Sequence, residues 1–220
     1  MKFLIYIKEN STRVSHKNFV NLNNKPLWSY LIDEIKSEDV YVDTDSEFLI
    51  NELKNYDNIT AYSRADKHKS LETDKSFGLS PVPFMIERFL ESFVTDEHEL
   101  IVTPHVTSPF LKLTTIKKAS TYIGNEYDSV QACTLHQEFA YFRNQPINFN
   151  PTVIQKTQDL EPIVLGNGAF FIFTKYSYYK NKSRTGKNPF HYPLNYPEFV
   201  EIDNDCDLKI AASIMNYEAN

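Results

Sequence analysis

The chain opens on five apolar residues, Phe3–Ile7, and a short apolar run bounded by polar positions predicts a buried strand. A polar stretch rich in Lys, Asn and Ser follows from Lys8 to Asn24, and loops of that length are usually functional. Leu27, Tyr30, Leu31 and Ile35 recur at helical spacing. Val40–Val42 predicts a second strand closing in Asp43-Thr44-Asp45, with Asp45 placed to cap a helix whose apolar side is Phe48, Leu49, Ile50 and Leu53. Beyond Gly78, residues Val82–Val94 read as an amphipathic helix with Pro81 and Pro83 at its start. Further strands are predicted at Leu100–Thr103, Ser129–Leu135 and Ala169–Phe173. Helices are predicted at Ile116–Ile123, ended by Gly124, and at Asp207–Met215. Strand and helix patterns alternate, which predicts an α/β fold with a mostly parallel, Rossmann-like sheet and helices on both faces. The segment 136–165 carries Pro146, Pro151 and Pro162 and no strong helical pattern, so it reads as a small β excursion from one domain spanning 1–220.

Length changes this picture little: 220 residues suit one domain, or one with a small appendage. No apolar run approaches the roughly 20 residues needed to cross a bilayer. The apolar N-terminal run is too short for a signal peptide, so the chain is expected to be cytoplasmic. Cys133 and Cys206 stand alone, which excludes a paired-cysteine zinc or redox site and predicts two buried free thiols. The balance of 29 carboxylates against 23 Lys and Arg, a formal charge of −6, argues against a dedicated nucleic-acid binder while leaving room for a local basic pocket. In parallel sheets, ligands bind outside the carboxyl ends of the strands. Those ends carry the loop 8–18, Asp43-Thr44-Asp45 and Thr103–Pro109.

Short motifs occur in a consistent order: Lys17-Asn18, Lys25-Pro26-Leu27, Val42-Asp43-Thr44-Asp45, Arg64, Thr107-Ser108-Pro109, Gln158-Asp159-Leu160, Asn167-Gly168-Ala169 and Glu201-Ile202-Asp203. In this order and spacing, over about residues 3–214, the chain resembles the acylneuraminate cytidylyltransferase family. The resemblance implies a nucleotidyltransferase domain, CTP, Mg²⁺, a nine-carbon keto sugar acid and a homodimer joined through the β-rich insertion. The family's opening loop, A-R-G-G-S-K-R followed by I or L, P, any residue and K-N, corresponds here to 7–18. Lys8 replaces the first arginine, Glu9 and Asn10 replace both glycines, and Thr12 replaces the lysine, whereas Ser11, Arg13, Lys17 and Asn18 persist.

A triphosphate pocket needs backbone N–H groups, cations and a metal. Lys8, Arg13 and Lys17 supply three cations within ten residues, a set that on composition alone also reads as a solvated loop. Glu9 brings a carboxylate toward the phosphates; two like charges at ~4 Å repel by about 4 kcal/mol at an effective dielectric of ~20. Glu201 and Asp203, one residue apart on an extended segment, project from the same face with Ile202 turned into the core, and such a pair can share one Mg²⁺ with phosphate oxygens. The same residues also read as an acidic turn ahead of the last helix. The resemblance assigns both carboxylates to the metal.

It also places Ser11, Asn18, Arg64 and Asp74 at the nucleotide; Arg64 reads equally as a surface ion pair with Asp66. His105 stands where the family has a glutamine touching the sugar acid, next to Thr107 and Ser108. Gln158, Asn167, Arg184, Lys187 and Phe190 match the acceptor-facing half. Guanidinium takes a carboxylate in two parallel hydrogen bonds, so Arg184 with Lys187 is a candidate for the sugar carboxylate. The reading is a cytidylyltransferase that joins CMP from CTP to a sialic-type acid and releases pyrophosphate. Its rival, motivated by the lost loop glycines, is a relative without CTP turnover that binds a sugar or a partner, or a transferase with altered nucleotide or acceptor.

Overall fold

Strand β1 (Lys2–Ile7) is apolar on both sides because both sides are buried: Phe3, Ile5 and Ile7 join one core cluster and Leu4 the other. The computed structural model describes the whole chain except Thr12, Arg13, Lys75, Phe77, Asn125, Ala219 and Asn220. After β1 the polar stretch contains a 3-10 turn at Lys17–Phe19, then the small hairpin β2 (Asn21–Leu22) and β3 (Lys25–Pro26). Next come α1 (Leu27–Ile35), β4 (Asp39–Thr44), α2 (Glu47–Leu53), β5 (Ile59–Ser63), α3 (Asp66–Thr73), α4 (Val82–Phe93), β6 (Leu100–Pro104) and α5 (Leu113–Ser120). The second half holds β7 (Ser129–His136), β8 (Tyr141–Phe142), β9 (Gln145–Pro146), β10 (Ile163–Thr174), α6 (Lys175–Asn181), β11 (Pro189–Pro193) and α7 (Asp205–Glu218).

Seven strands form one sheet in the order β11-β7-β10-β6-β1-β4-β5. Only β10 runs antiparallel to its neighbours β6 and β7; the other pairings are parallel. Helices α1 and α5 cover one face through Trp28, Leu31, Ile32, Ile116 and Ala119. On the opposite face, α4 and α6 pack Ile86, Phe89, Leu90 and Tyr178 against Leu4, Tyr41 and Phe173. Helix α7 closes a third cluster in which Ile202 is fully buried with Leu27 and Phe110. The α/β sheet with helices on both faces agrees with the sequence pattern.

Four local expectations are corrected. Ser46, not Asp45, caps α2, accepting the Leu49 N–H at 3.4 Å, because it directly precedes the first helical residue. Asp45 instead accepts the backbone N–H of Glu9 at 2.8 Å. Helix α5 begins and ends about a turn earlier than the apolar spacing suggests; Gly124 lies beyond it, with its N–H donated to Tyr127. Cys133 is buried, but Cys206 is exposed in the first turn of α7, and both are free.

Between β7 and β10 the two strands continue as an antiparallel arm, Ile163 pairing with His136 and Gly166 with Cys133. The hairpin β8–β9 sits on this arm, turning through Arg143 and Asn144 at positive φ, the geometry of a two-residue hairpin loop. Among the described residues, no helix is long and apolar enough to cross a membrane.

Candidate active site

The carboxyl ends of β5, β4, β1 and β6 lie side by side, so the residues leaving them are set out in a row. Arg64 follows β5, Asp43 and Thr44 end β4, Lys8 follows β1, and His105 and Thr107 follow β6. Three strand spacings make that row about 14 Å long. Above it opens a cleft of about 320 Å³, lined by Lys8, Ser11, Lys17, Asn18, Arg64, His105, Thr107, Glu201 and Asp203. These nine residues, spread over nearly 200 positions of sequence, are all among those that the sequence assigns to the site. Tyr6, Glu72, Val82 and Val106 line it as well and were not anticipated.

At the β6 end the loop 8–19 and the segment after β11 are tied together. The buried Lys17 donates from Nζ to the Ile202 carbonyl at 2.9 Å and to Asp203 Oδ1 at 3.0 Å. Asn18 donates to the Lys8 carbonyl at 2.9 Å, holding the loop against the end of β1. Ile202 buries its side chain and donates its N–H to the Thr107 carbonyl at 2.8 Å, which leaves Glu201 and Asp203 on the cleft side. Glu201 Oε1 accepts from Thr107 Oγ1 at 3.2 Å and lies 3.7 Å from His105 Nδ1. His105, and then Thr107, hold the Glu201 carboxyl below its usual range against the opposing effects of burial and of Asp203. Asn204 caps α7, accepting the N–H groups of Cys206 and Asp207, and Asp207 in return accepts those of Asp203 and Asn204, which fixes the turn carrying Asp203.

Gly168 explains part of this arrangement. A β-carbon there would stand 2.8 and 3.0 Å from the two Glu201 oxygens, so the glycine makes room for that carboxylate.

At the β5 end the chemistry is a buried ion-pair network. Arg64 donates from Nε to Asp43 Oδ1 at 2.6 Å, from Nη2 to the Asp43 carbonyl at 3.1 Å, and from Nη1 to Glu72 Oε2 at 2.8 Å. The Asp43 side chain is fully buried and that of Arg64 is 1% exposed. The surface pair with Asp66 is therefore not made; Asp66 meets Lys69 instead. Burial opposes the charged guanidinium, but Asp43 and Glu72 outweigh it and hold the Arg64 pKa above its ordinary value.

Other sequence-assigned residues are not brought into this cleft. Arg13 lies outside the described residues. Asp74 is exposed beyond α3 and accepts from Ser76, and Ser108 is buried beside His105. Gln158 is exposed in the turn Thr157–Asp159 beyond the paired strands of the arm, and Asn167 braces the backbone, donating to the Phe199 carbonyl and accepting from Ala169 N–H. Arg184 places its guanidinium carbon 3.7 Å from the Phe171 ring centroid, with Nη1 buried and without a hydrogen-bond partner among the described residues. Phe190 stacks on Tyr122 at 3.9 Å, and Lys187 lines a separate concavity.

Residues 3–183 match the model of the cytidylyltransferase family. The chain belongs to that family. It is 25% identical to the N-acylneuraminate cytidylyltransferases of Streptococcus agalactiae serotypes V and III over 218 residues, covering 93% of this chain and 50% of each relative. The chain thus spans about half the length of the curated relatives it matches. Among solved structures it superposes on a CMP:2-keto-3-deoxy-manno-octonic acid synthetase complexed with CTP at a TM-score of 0.65 and 11% identity, over 98% of both chains. It superposes on the 4-diphosphocytidyl-2C-methyl-D-erythritol synthase of Anaerococcus prevotii at 0.64 and 13%, again over 98% of both. These likenesses establish the shared fold.

In a member of this family, the space at Gly168 becomes a test of the Glu201 carboxylate. The atoms an added methyl would strike are the far end of a flexible side chain, so Gly168→Ala is expected to keep the unfolding free energy within about 1 kcal/mol. Displacing that carboxylate by about 1 Å should lower turnover by up to roughly a hundredfold. Unchanged turnover in a purified, folded variant would remove Glu201 from the working site.

Proposed function

We propose that this chain is a Mg²⁺-dependent cytidylyltransferase that couples CMP from CTP to a sialic-type sugar acid and releases pyrophosphate. The observation that carries the reading is the single cleft at the carboxyl ends of parallel strands that gathers Lys8 and Lys17 together with Glu201 and Asp203. Cations for phosphates and paired carboxylates for a metal are the two requirements of nucleotidyl transfer, and folding brings them within one ligand-sized space.

Mg²⁺ commonly binds through one or two carboxylates with the remaining positions filled by phosphate and water. Glu201 and Asp203 fit that pattern as hard oxygen donors on one rim of the cleft. Among the described residues no cluster of three or more His, Cys, Asp or Glu could hold a metal by itself, and phosphate oxygens and water would supply the other positions. A cation held there supplies positive charge against the developing charge of the reacting phosphate. Lys8 and Lys17 bind and orient the triphosphate, and His105 with Thr107 holds Glu201 in place. The acceptor's anomeric hydroxyl then displaces pyrophosphate from the α-phosphate, with no covalent enzyme intermediate. The sugar acid as acceptor is supported by the 25% identity to N-acylneuraminate cytidylyltransferases.

We further propose a homodimer joined through the arm, whose Tyr141, Phe142, Val153, Ile154 and Leu165 are exposed and apolar on a single chain. The Glu9 N–H bond to Asp45 favours the rival reading without turnover, since it spends a loop N–H that a phosphate would otherwise receive.

Thermal unfolding separates the two. With CTP and Mg²⁺ at about 100 Kd, native-state binding raises stability by roughly 2.7 kcal/mol. A rise selective for CTP over UTP, ATP and GTP, and diminished by chelator, is expected. No rise with any nucleotide would replace the transferase reading by that of a sugar- or partner-binding relative. Pyrophosphate release with a panel of sugar acids then identifies the acceptor.

A further inference from the structure

Glu72 is the one carboxylate of the cleft that neither the phosphates nor the metal accounts for. It lies on α3, its side chain is 20% exposed, and it lines the cleft at the β5 end with its Oε2 2.8 Å from Arg64 Nη1. Lys17, Glu201 and Asp203 gather at the opposite, β6 end. A triphosphate held by Lys8 and Lys17 therefore leaves the β5 end, some two or three strand spacings away, for the nucleoside. A carboxylate there repels phosphate and needs a hydrogen-bond donor from its ligand.

We propose that Glu72, presented beside Arg64, reads the nucleobase and makes this site select cytosine over uracil; the proposal rests on the cytidylyltransferase reading. Arg64, which lines the cleft, carries five N–H donors; among the described residues Asp43 takes two and Glu72 one, and the other two make no hydrogen bond. The cleft thus presents a fixed acceptor next to a fixed donor. Cytosine carries the complement, an exocyclic amine beside an acceptor ring nitrogen, and acidic side chains accept from that amine. Uracil has a carbonyl oxygen in place of the amine, and its lone pairs would face those of Glu72 across a partly dry wall. The Asp43 side chain, buried behind Arg64, fixes the guanidinium so that the pair cannot turn to suit the other base. A ribose diol can also donate to Glu72 and accept from the guanidinium, so the test includes dCTP to separate the two.

The test measures Kd for CTP, UTP and dCTP, each with Mg²⁺, on the wild-type protein and on Glu72→Gln. Glutamine keeps the shape and helix preference of glutamate while its amide can donate to the uracil carbonyl. The expected result is a wild-type preference for CTP over UTP that falls by about 5- to 150-fold in the variant, the range one well-placed base contact supplies, with the CTP/dCTP ratio unchanged. A fall in the CTP/dCTP ratio with CTP/UTP discrimination intact would move Glu72 to the ribose and overturn the proposal. Retention of both ratios would overturn it as well, while leaving the cytidylyltransferase reading in place. A wild-type protein that binds none of the three removes that reading and this proposal together. Glu72→Ala is the second variant: it should weaken CTP binding while relieving the repulsion of the uracil carbonyl, so UTP binding is not weakened with it, and an unchanged CTP affinity counts against the contact.

Discussion

Asp203→Ala should reduce Mg²⁺-dependent pyrophosphate release by about a hundredfold or more while leaving the protein folded. The size of the loss follows from removing a fixed charge that acts on the reacting phosphate and its cation, where single preorganised groups are worth roughly 10²–10³ in rate. Stability should change little. The Asp203 side chain is 41% exposed, and its ion pair with Lys17 is of the partly solvated kind worth about 0.2–1 kcal/mol. Lys17 keeps its bond to the Ile202 carbonyl in the variant. Two readouts separate a metal role from a merely structural one. CTP should still raise the unfolding midpoint, but chelator should no longer diminish that rise as it does in the wild type. Unchanged release would take Asp203 out of the metal site.

Arg64→Ala should destabilise the fold itself, by about 3–5 kcal/mol in urea unfolding, the usual consequence of breaking a buried pair from one side. The reason lies with the residue left behind. Asp43 is fully buried and ends a central strand, with Tyr6 and Tyr62 as its register partners on either side. Without Arg64 its nearest cation is Arg88, 3.7 Å from Oδ2 and itself over a third exposed. Adding Asp43→Asn to the Arg64→Ala background removes the stranded charge and should recover part of the loss. If the double variant is no more stable than the single one, the deficit comes from the cavity and not from the charge. Because Arg64 also donates to Glu72, the single variant should lose CTP-induced stabilisation as well.

The contrast between the two ends of the cleft shows which parts of the site were legible in sequence. At the β6 end, Lys17, Thr107, Glu201 and Asp203 stand in short motifs whose order carries a family resemblance, and His105 directly precedes one of them at the end of an apolar strand. The spacing of Glu201 and Asp203 around Ile202 was enough to place both carboxylates on one side of an extended segment. At the β5 end the signal is weak. Ile59–Ser63 is a short strand of mixed polarity, and α3, Asp66–Thr73, is almost wholly polar, buried only through His68. Neither has the apolar periodicity that announces an element, so Glu72 looked like one charge among many. Arg184 and Phe190, which the resemblance assigns to the acceptor-facing half, pack on Phe171 and Tyr122.

Sequence by itself determined the alternation of strands and helices, the burial of β1 on both faces and the two carboxylates around Ile202, because each is written in local spacing of apolar and polar residues. It also determined the loss of the loop glycines. Only the tertiary structure decided that Arg64 is buried against Asp43 instead of paired at the surface, that Ser46 rather than Asp45 caps α2, and that Glu72 enters the cleft. Those outcomes depend on the lateral order of strands β5, β4, β1 and β6. Strand neighbours are set by the packing of the whole sheet and its two helical layers, and no local spacing encodes which strand ends will stand side by side.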